Sequence, residues 1–412
     1  MTSQEYKPLK FLSYLGASNV VALPLEALST ILLARFLSST ELGIYMAGEA
    51  FVAMFSFFFA MGFQNSILKL AADDTDNYQR GLQTALGNSL VIRAIIIIPL
   101  GFAIYYLGTV FNADPLMVRV ILTFMLIESF KSFTSIFGIV RKALNQFKLI
   151  SWINIFNKCL RLAIIVWVFK GLAEGSIRDL LNYLLLFALI KFLVSFFTTI
   201  KHCKPVVEPK SIMPMLRECF LYGFFNYLDN IQGKVDRLFL HYMLGPAAVA
   251  FYSIPSKLNR IIKVVPVTIR QVFLPEIHKQ VQDQEATRKL IAKLLLAIAA
   301  IGVPVSLGIY FGSEYILGLL FKAEYAPAIK LAPLFAFISI IWFVEILPKM
   351  LLASHGDHKG RNSIQLVGLI LNLGLNFSLI PIYGIQGAIY ATIIANGIRF
   401  ALLTGRYVIK YA

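Results

Sequence analysis

Long apolar runs separated by short polar breaks occupy the whole chain. About twelve reach membrane-spanning length, near 11–34, 44–69, 82–107, 117–139, 150–170, 179–200, 218–243, 247–275, 290–312, 327–352, 363–382 and 385–405, because ~20 apolar residues cross the ~30 Å hydrocarbon core as a helix. The runs are continuous and lack the two-residue alternation of a membrane barrel, so the pattern predicts an all-α polytopic fold. The longest break, around Lys201 to Arg217, is only about 17 residues, and no soluble catalytic domain fits in it.

The pattern repeats. The first two runs are joined by Arg35-Phe36-Leu37-Ser38-Ser39-Thr40-Glu41-Leu42-Gly43-Ile44-Tyr45, and the seventh and eighth by Tyr242-Met243-Leu244-Gly245-Pro246-Ala247-Ala248-Val249-Ala250-Phe251-Tyr252, at a matching offset of 207 (Tyr45 to Tyr252). A duplication of six spans keeps both halves in one orientation, so parallel pseudo-repeats are expected, with an N-terminal bundle over 1–200 and a C-terminal bundle over 218–412. The segment 201–217, with Pro205, Pro209 and Pro214, reads as a stiff non-helical cytoplasmic linker between them.

Composition sharpens the class. With 58% hydrophobic and 15% charged residues, the chain lies far from the soluble norm of about a quarter charged. If the N-terminus is cytoplasmic, the inner segments hold about eighteen Lys and Arg and the outer ones about six, so both termini are expected in the cytoplasm. The first apolar run continues past Arg35 without a short signal-like core and is expected to remain in the mature chain. Cys159, Cys203 and Cys219 show no CxxC spacing and read as small apolar filler, with no disulfide framework and no metal site.

Charge changes the picture most. About fourteen of the 38 Lys and Arg lie inside the apolar runs, against six carboxylates, Glu26, Glu49, Glu128, Asp229, Asp236 and Glu345. A charge at the bilayer centre costs at least ~2.5–3.5 kcal/mol, so a surplus of cations there must face a wet or protein-lined interior that an anion visits. In the seventh span Asn226, Asn230, Lys234, Arg237 and His241 follow at steps of four, four, three and four, along one helix face. Asp229 and Asp236 form an adjacent acidic stripe. The eighth span adds Lys257 and Arg260, and the fifth Lys158 and Arg161. Guanidinium with ammonium suits phosphate, and Lys158, Arg161, Asn226, Asn230, Lys234, Arg237, Lys257 and Arg260 are the expected substrate-binding residues. Lys131, Lys349 and Arg399 sit near span ends and are expected to snorkel to headgroups. Asp236 beside Arg237 also reads as a packing ion pair, and Asn372 and Asn376 as amides that join helices.

No Walker A, GxSxG or HExxH sequence occurs, and the five histidines make no ligand set. A transporter without a bound cofactor is expected, not an enzyme, and no nucleic-acid partner. Glu26, Glu49, Asp229 and Asp236 are the candidates for coupling to a proton or sodium.

Three stretches resemble polysaccharide flippases of the Wzx type, in the multidrug/oligosaccharidyl-lipid/polysaccharide exporter superfamily. They are Leu37 through Tyr45; Val235-Asp236-Arg237 through Leu244-Gly245-Pro246 and Tyr252; and the pair Leu319-Leu320-Phe321-Lys322-Ala323-Glu324-Tyr325 with Leu379-Ile380-Pro381-Ile382-Tyr383-Gly384-Ile385-Gln386-Gly387-Ala388. The resemblance implies a V-shaped pair of six-helix bundles, like that of multidrug exporters, in a bacterial inner membrane. It implies translocation of an undecaprenyl-pyrophosphate-linked oligosaccharide to the periplasmic leaflet, for an O-antigen, lipopolysaccharide or similar surface glycan, with a polymerase and a chain-length regulator as partners. The related lipid II flippases usually carry two more spans. The alternative readings are a multidrug or organic-ion exporter of the same superfamily, which would want a carboxylate-lined cavity where this one is net positive, and an intramembrane glycan-transferring enzyme, which would want a sizeable acidic loop where the loops here are short.

Overall fold

The computed structural model describes residues 8–63, 67, 78–112, 114–172, 175–280 and 283–411. It is all-α among these residues. The helices are α1 Pro8–Phe36, α2 Ser39–Met54, α3 Ser56–Ala60, α4 Tyr78–Phe111, α5 Pro115–Ala143, α6 Phe147–Val166, α7 Ile177–Ile200, α8 Pro209–Leu244, α9 Pro246–Ile262, α10 Val264–Gln280, α11 Gln284–Leu320, α12 Ala326–Leu331, α13 Phe335–Ser354, α14 His358–Tyr383 and α15 Ile385–Tyr411.

Eight stretches among the described residues are long and apolar enough to cross a membrane, matching the expected third to sixth and ninth to twelfth spans. The expected first, second, seventh and eighth spans are not among the eight, so length and composition do not confirm a count of twelve. The physical reasons are visible for three of them. The second and eighth are each divided into shorter helices, and α8 carries Arg217, Glu218, Asp229, Lys234, Asp236 and Arg237 along its 36 residues.

The chain forms two compact units, Met1–Phe36 with Gly48–Tyr227, and Leu37–Ala47 with Leu228–Ala412. The division falls inside α2 and α8, not at the expected 201–217 linker. That segment belongs to the first unit. Val206 donates its N–H to the Gln83 carbonyl at 3.1 Å, and Asn88 brackets the Glu208 backbone, accepting at 2.9 Å and donating at 3.1 Å. A Cβ on Gly87 would stand 2.1 Å from the Val206 oxygen, so only glycine lets this segment approach. Nor is the whole segment non-helical: Pro209 opens α8, since a first-turn proline loses no intrahelical bond.

The first unit's core gathers Met61, Phe63, Ile67, Leu82, Leu86, Ile136, Phe137, Cys203 and Cys219. Two of the three cysteines are thus buried packing, and Cys159 is exposed; none of the three is in a disulfide. The second span breaks at Phe55 and again at Met61 and Gly62, both at positive φ. Side chains take up its released carbonyls: Tyr227 donates to that of Met54 at 2.5 Å, and Ser132 to that of Phe59 at 2.9 Å. Arg93, 1% exposed, donates in turn to Ser132 and lies 4.4 Å from the centre of the Phe63 ring.

In the second unit, Ser38 and Glu41 exchange capping-box hydrogen bonds at the start of α2. Ser39 then donates its N–H to Glu324 at 2.6 Å, and Tyr325 its hydroxyl to the Leu37 carbonyl at 3.1 Å. Gly43 meets the Pro246 backbone so closely that a Cβ would lie 1.8 Å from its oxygen. The turn residues that repeat along the sequence are therefore one interlocked cluster.

At another end of this unit, Asp357 caps α14 through Gly360 and takes a two-bond fork from Arg406, at 2.6 and 3.0 Å. Gly360 leaves room for that guanidinium, whose Nε would lie 1.9 Å from a Cβ there. The Arg406 hydrogen bond holds the Asp357 carboxyl down at about 2. A depressed carboxylate stabilises fully above its unfolded pKa of roughly 4 and loses that contribution as pH falls toward 2. Asp357→Asn should therefore melt below wild type at pH 7, and the gap should close in scans taken toward pH 2–3; a constant gap would exclude the ionised fork as its source.

Candidate functional site

The polar positions of the seventh span share one unbroken helix, α8. The side chains of Asn226, Asp229 and Asn230 lie outside the described residues. Lys234 is half-buried and Arg237 is buried at 4% exposure. On α9, Lys257 is half-buried and Arg260 exposed. The second unit thus carries three sheltered cations within two consecutive helices, on either side of the Gly245 turn.

The first unit treats its expected residues differently. Lys158 on α6 places Nζ 2.7 Å from Glu26 Oε2 on α1. An expected phosphate ligand and an expected coupling carboxylate are each other's partners. Arg161, one turn further along α6, and Glu49 on α2 are both half-buried.

Two of the three span-end cations, Lys349 and Arg399, depart from the snorkelling expectation, and the exposed Lys131 does not. Lys131 pairs with Glu128 at 2.7 Å. Arg399 forks onto Glu345, with one of its two hydrogen bonds at 3.0 Å, while Lys349 lies 3.2 Å from the same carboxylate and Arg399 Nη1 donates to Gln232 at 3.2 Å. Glu345 and Arg399 are only 2% and 6% exposed. A guanidinium that finds a buried carboxylate within reach gains more there than at the headgroups, because the low dielectric strengthens the pair. Three of the six membrane carboxylates are so neutralised by four cations.

Asp236 is not paired with Arg237 in the expected way; successive residues on a helix point about 100° apart. Fully buried, its carboxylate accepts from Tyr252 at 2.7 Å, Asn376 at 2.7 Å and Thr392 at 2.9 Å. Asn372 extends the cluster by accepting from Asn376 at 3.1 Å. Among the described residues, the buried Asn376 Oδ1 has no hydrogen-bond partner. The amides that read as helix glue do join helices, Asn376 binding α14 to Asp236 on α8, and they close a buried polar cluster around one carboxylate. Tyr252 had a sequence signal in its repeat with Tyr45, whereas Thr392 had none. Among the described residues no three His, Cys, Asp or Glu gather as a metal centre.

Comparison with known proteins places the chain. Residues 9–281 match the family model described as polysaccharide biosynthesis protein. The capsular polysaccharide biosynthesis protein CapF of Staphylococcus aureus is 22% identical, over 92% of this chain and 94% of its own. An uncharacterised membrane protein of Methanocaldococcus jannaschii is 21% identical, over 95% and 82%. The lipid II flippase MurJ in its inward closed conformation superposes with a TM-score of 0.76 at 16% identity, covering 97% of this chain and 87% of MurJ. An inward-facing multidrug resistance MATE family transporter of the MOP superfamily superposes with a TM-score of 0.77 at 11% identity, covering 95% of this chain and 94% of its own. The chain belongs to the polysaccharide biosynthesis protein family and has the helical fold of the multidrug/oligosaccharidyl-lipid/polysaccharide exporter superfamily.

Proposed function

We propose that this chain is a flippase that carries undecaprenyl-pyrophosphate-linked glycan repeat units from the cytoplasmic to the periplasmic leaflet of a bacterial inner membrane, with both termini in the cytoplasm. The observation that carries the reading is the sheltered cation group Lys234, Arg237 and Lys257 in the second unit. Together the three offer a pyrophosphate one guanidinium and two ammonium groups, drawn from consecutive helices of one unit. Guanidinium grips it as a fork and ammonium as a point charge. Family membership and the likeness to a capsular polysaccharide protein support a glycan cargo. Units so delivered would feed a polymerase and a chain-length regulator. An exporter of cationic drugs would need free carboxylates instead.

Transport against a gradient needs a driving ion, and the buried Asp236 cluster suits one. Its oxygens, from Asp236, Tyr252, Asn372, Asn376 and Thr392, match what a proton or sodium ion wants. Binding there favours one of two conformations only through differential affinity, which is how such an ion drives alternating access.

The test is complementation of a flippase-deficient strain with Lys234→Ala, Arg237→Ala, Lys257→Ala and Arg260→Ala, scoring surface glycan at matched membrane levels. Arg237→Ala and Lys257→Ala should lose most of the glycan, and Arg260→Ala, exposed, should keep it. Full activity in all four would sink the pyrophosphate reading.

A further inference from the structure

The two broken spans occupy corresponding places in the two halves. Helix α2 runs from Ser39 to Met54 and α9 from Pro246 to Ile262. Adding the repeat spacing of 207 to 39 and 54 gives 246 and 261. Each helix starts at the repeated turn and stops mid-span, at Phe55 and at Lys263. In transporters built from repeats, interrupted helices at matching positions mark binding sites, because a break offers backbone groups to a ligand.

The second break has the better furnished surroundings. Pro266 has no N–H to return to the carbonyl of Ile262, four residues back, so an acceptor is released there. Lys263 follows directly, and its ammonium lies 5.2 Å from the centre of the Trp342 ring. Both side chains are half-buried, sheltered yet reachable. One turn earlier, Asn259 donates to the Phe335 carbonyl at 3.3 Å and accepts from Ser339 at 2.6 Å. That pair locks α9 against α13 and so fixes the ammonium and indole in place before any ligand arrives.

An indole face, an ammonium with three donors and a released carbonyl are the complement of a sugar ring, which has an apolar C–H face and a rim of hydroxyls. A phosphate fits less well. The C-terminal end of α9 carries partial negative charge, which offsets the ammonium. We propose that Lys263, Trp342 and the Ile262 carbonyl form a subsite for one pyranose ring of the glycan head. The subsite rests on the flippase reading above and adds to it a place where the sugar, not the pyrophosphate, is read.

The probes are undecaprenyl pyrophosphate and the same lipid bearing one N-acetylglucosamine, titrated against the purified full chain in lipid nanodiscs. Wild type should bind the glycosylated probe about five- to tenfold more tightly. Trp342→Ala and Lys263→Gln should erase that preference and leave the bare lipid's affinity unchanged, and Trp342→Tyr should keep most of it. Arg237→Ala should weaken both probes alike. The subsite is overturned if wild type shows no preference, if both variants behave as wild type, or if they lose both probes as Arg237→Ala does. Binding of neither probe by wild type would instead bring down the flippase reading and the subsite with it.

Discussion

Arg399→Ala should destabilise the second unit by about 3–5 kcal/mol, because removing one partner of a buried ion pair leaves the other charged and unpaired. The Glu345 carboxylate is 2% exposed and takes both hydrogen bonds of the Arg399 fork. Lys349 at 3.2 Å would compensate in part, since its ammonium can move closer. The measurement is thermal unfolding in detergent, followed by tryptophan fluorescence or by aggregation. Replacing both partners, Glu345→Leu with Arg399→Leu, should recover most of the loss, because no buried charge is then stranded and Lys349 can reach toward the headgroups. If the single variant melts like wild type, the fork contributes nothing to stability.

Asp236→Asn should cut glycan translocation on the order of tenfold or more while the protein still reaches the membrane. Its carboxylate is the acceptor for Tyr252, Asn376 and Thr392 at once. An amide in its place turns an NH₂ toward at least one of those donors and carries no charge for a proton or sodium ion to answer. Thr392→Val removes a single donor of nearly the same shape. A hydrogen bond to a charged group is worth about 1.5–3 kcal/mol, so this variant should weaken ion-dependent transport without abolishing it. Uptake in everted vesicles, compared across sodium and proton gradients, separates the outcomes. Retained gradient dependence in Asp236→Asn would exclude this cluster as the coupling site.

The all-α membrane class was legible because the apolar runs leave no other way to satisfy the backbone in lipid. The shared helix of Lys234 and Arg237 was legible too, since periodicity alone places residues on a face. Partners across helices were not. Nothing in the spacing of Lys158 announces Glu26, which lies 132 positions away. Lys349 and Arg399 looked like headgroup anchors because span ends were the criterion used; the four-residue spacing of Glu345 and Lys349 within α13 was a signal for that pair, whereas Arg399 meets the same carboxylate only through the packing of α13 on α15. The unit boundary failed to appear for a related reason. Prolines mark where a helix cannot continue, and they say nothing about which helices share a core, so the stretch holding Pro205 looked like a stiff linker between two bundles while Asn88 was fastening it to one of them.

The cluster built by Leu37, Ser39 and Gly43 against Pro246, Glu324 and Tyr325 has a consequence for synthesis. A growing chain presents Leu37–Ala47 to the bilayer before any of the remaining second unit, Leu228 onward, has been translated. That unit cannot complete itself from its own contiguous sequence. A gene cut between the two repeats would yield a C-terminal fragment with an unfilled seat at Glu324 and Tyr325, and co-expression with a piece carrying residues 37–47 would be needed to fill it.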